Sequence, residues 1–223
     1  MKGTVRVDLH VHTTASPDSQ LSVDEAVAGA KVLGLQGIAI TDHNSIANLE
    51  DPTQVVERSG IAVIPGVEVS ASEGHVLAYF VPRVPPRDQP LGSTIREIRA
   101  LGGLVVLPHP YRLFHGAARN GLSTAEPLDA VEVQNGHTSA SRNAMARRLA
   151  SDHQLRMFGS SDAHSAKDLG CYFTELTWSE AGWKETLRRG KAVPMGPGLS
   201  RGSVSRVGLA NAQRRIRRGL RPV

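Results

Sequence analysis

With 223 residues and 40% hydrophobic side chains, the chain is long enough to bury one substantial core, and it has no run near the roughly 18 apolar residues of a membrane span. A single cysteine, Cys171, excludes an internal disulfide framework. The net charge of +5 is uneven: residues 201–223 hold seven basic side chains (Arg201, Arg206, Arg214, Arg215, Arg217, Arg218, Arg221) and no acidic one, leaving 19 basic against 21 acidic groups before them. A basic face spread over the whole body is therefore excluded. The tail alone offers a contact for nucleic acid or an acidic partner, and its alternative is a solvated terminus.

The amino terminus, MKGTVRVDLH, enters a strand at once, without a basic stretch followed by an apolar one, so a cytoplasmic protein is expected. Along that strand Asp8, His10 and His12 alternate with Val7, Leu9 and Val11, which predicts a polar face and an apolar face. Ser22 with Glu25 three residues on forms a capping box, and Gly34 closes the helix it opens. GIAITDHN reads as a strand over about 37–41 ending in Asp42 and His43. A short helical segment is expected next, followed by the strand IAVIPGVEVS carrying Glu68 and by HVLAYFV, which starts at His75.

The proline-rich VPRVPPRDQP leads to a helix over about 94–101, and GGLVVLPHP is a buried strand ending at His109. DAVEVQNG is a strand with Glu132 and Gln134 on one face, SASRNAMARRLASDH a helix, and LRMFGSSDAH a short strand running into Asp162 and His164. YFTELTW adds a late strand and SEAGWKETLRRG a capped helix. The Gly, Pro and Ser-rich stretch 194–205 is the one linker-like region, so a barrel domain over 1–193 and a linker with basic tail over 194–223 are expected.

This alternation predicts β-α units around a largely parallel sheet. Strand after strand ends in a metal-ligating residue: His12, His43, Glu68, His109, Asp162 and His164. Functional groups of such sheets gather at the carboxyl ends of parallel strands, so these residues are expected on one rim. That many buried imidazoles and carboxylates would be costly without compensation, and divalent metal ions supply it.

DLHVHT, TDHN, PGVEVS, GHVLAY, LPHP and GSSDAH, in this order, resemble the successive motifs of the PHP (polymerase and histidinol phosphatase) family. The resemblance covers residues 7 to about 165 and implies an α/β fold, a distorted (β/α)7 TIM-like barrel in a single domain, with two or three divalent ions, manganese, zinc or iron. It implies His10, His12, Glu68 and Asp162 around the first ion, with Glu68 and Asp162 bridging. Glu68, His75 and His109 would hold the second, and Asp18, His43 and His164 the third. Asp18 lies in the turn-forming run SPDS, where a turn role competes with ligation. Asp8, Asp42, Glu132 and Asn135 are expected to support the ligands rather than to ligate.

The family further implies a phosphoesterase, with metal-activated hydroxide attacking a phosphate monoester or a nucleotide or oligonucleotide phosphate and with Glu68 and Asp162 central to catalysis. Arg112, just after HPY, is the candidate cation for the substrate phosphate. His115 and His137 are candidate leaving-group acids, or simply exposed histidines, and Cys171 reads as a small buried hydrophobe. Two other readings stay open: a non-catalytic, metal-stabilised module that binds nucleic acid through the tail, and an amidohydrolase-type metal hydrolase.

Overall fold

A computed structural model describes residues 3–118, 121, 122 and 124–198; the linker beyond 198 and the basic tail lie outside the described residues. The elements in chain order are β1 (Thr4–Val11), α1 (Val23–Val32), β2 (Gly37–Ile40), β3 (Val56–Arg58), β4 (Ile61–Ala71), β5 (Gly74–Tyr79), α2 (Leu91–Ala100), β6 (Leu104–Leu107), β7 (Ala130–Asn135), α3 (Ala140–Asp152), β8 (Met157–Ser160), β9 (Phe173–Thr177), α4 (Trp183–Arg189) and β10 (Ala192–Met195). One sheet holds all ten strands in the order β10-β9-β1-β2-β4-β5-β6-β7-β8, with β3 paired to β4. It curls until β8 lies against β1, β9 and β10, giving a nearly closed barrel.

The pairs β1–β2, β2–β4, β6–β7 and β7–β8 are parallel, while β5 runs antiparallel between β4 and β6, and β9 runs antiparallel to both β1 and β10. The distortion of the barrel is this mixture of directions. Between β8 and β9 the closure uses a side chain: the Thr174 hydroxyl donates to the Gly159 carbonyl (2.8 Å) and accepts the Gly159 N–H (2.9 Å). Thr174→Val keeps the shape and removes both bonds, so it is expected to lower unfolding stability by about 1–3 kcal/mol in denaturant titrations while leaving metal uptake unchanged.

The first helix is capped as its sequence predicts, Ser22 Oγ accepting the Glu25 N–H and the Glu25 carboxylate accepting the Ser22 N–H. Other elements depart from expectation. The segment after Asp42 forms turns and then β3, with no helix. Helix α2 starts three residues early because its first-turn amide at Leu91, which has no partner within the helix, is capped from a distant turn by the carboxylate of Glu73 (2.8 Å). Helix α4 is shorter than expected and starts after Gly182, with no side-chain cap.

Three apolar clusters hold the barrel. One includes Val5, Val7, Leu9, Ala39, Ile64, Leu77, Leu104, Val106, Phe158 and Leu176, side chains from strands all round the sheet, so it fills the barrel interior. A second packs α2 and α3 on the outside through Leu91, Ile95, Ile98, Ala146 and Leu149, and a third seats α1 through Ala26, Val27 and Ala30. No helix among the described residues is long and apolar enough to cross a membrane.

Candidate metal centre

The predicted rim exists, and strand direction explains how it is assembled. His12, His43, His109, Asp162 and His164 follow the carboxyl ends of parallel β1, β2, β6 and β8. His75 stands instead near the start of β5; because β5 is antiparallel to β4, its amino-terminal end reaches the same rim, with His75 opposite Ser70. Gly74 makes this approach possible, since a Cβ there would sit 2.6 Å from the His115 carbonyl oxygen.

Glu68 lies at the middle. Its Oε1 is 2.8 Å from His75 Nδ1 and 3.0 Å from His109 Nε2, and its Oε2 is 3.0 Å from His43 Nδ1, 3.3 Å from His12 Nε2 and 3.5 Å from His10 Nε2. Asp162 Oδ1 lies 3.2 Å from His12 Nε2 and 3.6 Å from His10 Nε2. Asp18, in the turn after β1, has Oδ1 3.5 Å from His164 Nε2 and Oδ2 3.6 Å from His43 Nε2. All nine residues expected as ligands, His10, His12, Asp18, His43, Glu68, His75, His109, Asp162 and His164, thus fall in one buried cluster. Asp162 and His109 also carry positive φ (57° and 27°), a backbone conformation tolerated where the surrounding structure holds it.

The surroundings orient the imidazoles. His10 Nδ1 faces Glu132 Oε1 (3.1 Å) and His12 Nδ1 faces Ser16 Oγ (3.0 Å). Ser16 Oγ in turn donates to the Asp42 carboxylate (2.7 Å), so its lone pairs are left to accept from His12. With each Nδ1 so engaged, both Nε2 atoms turn inward and stand 3.0 Å apart. Two nitrogens at that distance need a cation between them, a shared proton on His10 in the metal-free protein or a metal ion in its place. The other Glu132 oxygen accepts from the His109 amide and from Asn135 Nδ2 (2.8 Å each), and Asn135 Nδ2 also reaches Asp162 Oδ2 at 3.2 Å. Glu132, Asn135 and Asp42 therefore support the cluster as expected. Ser16 was not singled out in the sequence; its signal is a hydroxyl four residues after His12 in the same turn.

Asp8 departs from expectation. A bulge between Asp8 and Val11 breaks the alternation, so Asp8 does not share the histidines' face. Its carboxylate accepts backbone N–H groups from Ser161 (3.0 Å) and Gly170 (2.9 Å), tying β1 to the segments after β8. Burial pushes its pKa up to about 6 in spite of those bonds.

Arg112 is half-buried and donates to Asp162 Oδ2 at 2.5 Å, so the candidate cation stands beside the cluster. His115 and His137 are not the exposed histidines the sequence allowed. His115 is partly buried and stacks on His75 with centroids 4.7 Å apart. His137 is buried and stacks on His164 at 5.2 Å. Cys171 is buried, and burial pushes its thiol up, in keeping with a small hydrophobe rather than a nucleophile.

The electrostatics suit cations. Burial alone would raise the Glu68 carboxyl, but His75, His10 and His43 hold it well below the usual carboxylate range. Asp162 is likewise held well down against its burial, by His10 and Arg112 first. Burial disfavours charge on His10, yet Asp162, Glu68 and Glu132 together hold its proton to well above the usual imidazole range; His43 is raised in the same way by Glu68 and Asp18. His75, by contrast, is pushed down to about 4 by burial. Asp162 Oδ1 and His109 Nδ1 are buried without a hydrogen-bond partner, and several triads of donor atoms, such as His10 with His12 and Glu68 or His12 with His43 and His164, lie within 4.8 Å of one another. An imidazole and carboxylate donor set of this kind fits divalent ions.

The protons held on His10 and His43 near neutral pH must leave when an ion enters, so metal affinity is expected to rise with pH, and titration calorimetry in buffers of different ionisation enthalpy should count about one to two protons released per molecule at pH 7. In the metal-free protein the same raised values stabilise the fold below about pH 6.5, and that stabilisation is lost as pH climbs through the folded-state values.

Fold and cluster together define an α/β barrel that gathers imidazoles and carboxylates for divalent metal at one rim. The chain belongs to the PHP domain family, a family of metal-dependent hydrolases: residues 8–145 match it, and residues 140–191 match the PHP-associated family. It is 31% identical over 143 residues to the uncharacterised protein MJ1587 of Methanocaldococcus jannaschii, covering 60% of this chain and 83% of that protein. It is 34% identical over 105 residues to a 5'-3' exoribonuclease of Haemophilus influenzae, covering 44% of this chain and 38% of the enzyme. Among solved structures, the lesion-specific endonuclease EndoQ of Pyrococcus furiosus superposes with a TM-score of 0.69 at 17% identity, over 87% of this chain and 60% of that one.

Proposed function

We propose that the protein is a phosphoesterase that uses two or three divalent ions, manganese, zinc or iron, to hydrolyse a phosphate monoester or the phosphate of a nucleotide or short oligonucleotide. The observation that carries this reading is Glu68, whose two oxygens each face imidazoles from different strands, with the Arg112 guanidinium paired to Asp162 of the same cluster. His10, His12, Glu68 and Asp162 would hold one ion, Glu68, His75 and His109 a second, and Asp18, His43 and His164 a third. Bound there, divalent ions supply Lewis acidity, which makes hydroxide available near neutral pH and neutralises phosphoryl oxygens.

The chain's own residues do the rest. Glu132, Ser16 and the Asp162 carbonyl hold His10, His12 and His164 in the tautomers that turn Nε2 inward. Arg112 holds Asp162 with one nitrogen and, one-quarter exposed at its side chain, offers the remaining N–H groups to the phosphate. No side-chain nucleophile is required. The sequence relative that is an exoribonuclease and the structural neighbour that is an endonuclease support a nucleotide or nucleic-acid phosphate as the substrate class.

Metal removal tests the proposal. Protein stripped with a chelator should leave an aryl phosphate and 5'-nucleotides intact, and adding back manganese or zinc should restore cleavage of both. A loaded protein inert on every phosphate ester but active on an amide or lactone would replace the proposal with the amidohydrolase reading.

A further inference from the structure

Outside the nine expected ligands, one histidine is buried against the cluster with nothing to satisfy it. His137 is 8% exposed, and neither ring nitrogen has a hydrogen-bond partner. Asp168 Oδ2 stands 3.9 Å from Nε2, beyond hydrogen-bond distance, and is itself engaged by the Ser165 hydroxyl. A buried neutral imidazole gives up a donor and an acceptor to water and recovers neither here, which is costly unless a partner arrives.

Its position is held firmly. The turn that carries it is pressed onto the backbone before Asp162: Gly136 donates to the Ser160 carbonyl at 3.2 Å, and a Cβ at Gly136 would stand 2.3 Å from the Ser161 carbonyl oxygen. The His137 amide donates to Asn135 Oδ1 (2.9 Å), the same asparagine whose Nδ2 reaches Asp162. The ring therefore stacks at 25° on His164, and one donor atom each from His137, Asp162 and His164 falls within 4.8 Å of the others. Asp162 Oδ1 is likewise buried without a hydrogen-bond partner.

We propose that His137 is a further metal ligand, forming with Asp162 and His164 a coordination position on the β7–α3 side of the centre that the nine-residue set does not include. This rests on the reading of the cluster as a metal centre. One ring nitrogen of His137, held by a rigid turn, and donor atoms of Asp162 and His164 converge where one cation would be ligated by all three residues.

The test is binding rather than turnover. Metal-free full-length protein is titrated with cobalt(II), following the d–d absorption and the number of bound ions, in the wild type, His137→Asn and His137→Gln. The expected result is loss of one bound cobalt, or at least about a tenfold weakening of one class of site, together with a changed d–d spectrum. In the wild type alone, histidine 15N shifts on zinc loading should move one His137 ring nitrogen, a readout that does not depend on the variants folding. Identical isotherms and spectra in folded variants, or an unmoved His137 nitrogen in a zinc-loaded wild type, overturn the assignment while leaving the centre standing. A wild type that takes up no cobalt at all defeats the metal centre itself.

Discussion

Replacing Glu68 by alanine is expected to strip metal from the protein and to cut hydrolysis of an aryl phosphate by at least about 10³-fold. The reason is positional. Its Oε1 answers His75 and His109 while its Oε2 answers His43, His12 and His10, so a single carboxylate balances five imidazoles brought from β1, β5 and the turns after β1, β2 and β6. Alanine removes the negative charge around which these rings are arranged and takes from His75 Nδ1 and His109 Nε2 the carboxylate oxygen they share. Glu68→Gln separates charge from shape, because the amide keeps the volume but presents one donor where two acceptors are needed. Elemental analysis beside the kinetic assay reads the result; wild-type metal content in a folded Glu68→Ala protein would show that the carboxylate is not the bridge.

The second large effect is at Arg112. Arg112→Ala is expected to lower kcat/KM on phosphate esters by about 10²-fold while the number of bound ions stays at the wild-type value. Its guanidinium already pairs with Asp162 at 2.5 Å, and the side chain is still 23% exposed, so a forked donor remains available at the mouth of the cluster. Arg112→Lys should recover only part of the loss, since an ammonium is a point donor and cannot bridge carboxylate and phosphate in one plane. Lost metal with an unchanged KM would mean that Arg112 serves Asp162 and not the substrate.

These two residues also show where the sequence spoke and where it could not. The residue types gathered at the rim and their order were legible because most lie at or near a strand end in a short motif: H-x-H at the end of an apolar strand, TDHN, PGVEVS, LPHP and GSSDAH. Strand ends are local facts, set by the period of apolar residues and by the turns that follow. The capping box at Ser22 and Glu25 was legible for the same reason, since three residues are enough to build it. By contrast, the bulge that turns Asp8 away from His10 arises from pairing with β2 and leaves no mark in the alternation of DLHVH.

Tertiary structure alone decided the long-range bonds. Glu73 caps α2 from 18 residues away, a distance over which a capping pattern carries no signal. His75 reaches the rim because β5 runs antiparallel, which follows from its short turn after β4 and not from any ligand motif. His137 was indistinguishable in sequence from an exposed histidine, because burial depends on how Gly136 lets the turn close over Ser161. The sequence by itself determined which side chains this protein brings to a strand end; packing decided which way each one faces and what, between them, is left unsatisfied, because facing and burial are properties of contacts made by residues far apart in the chain.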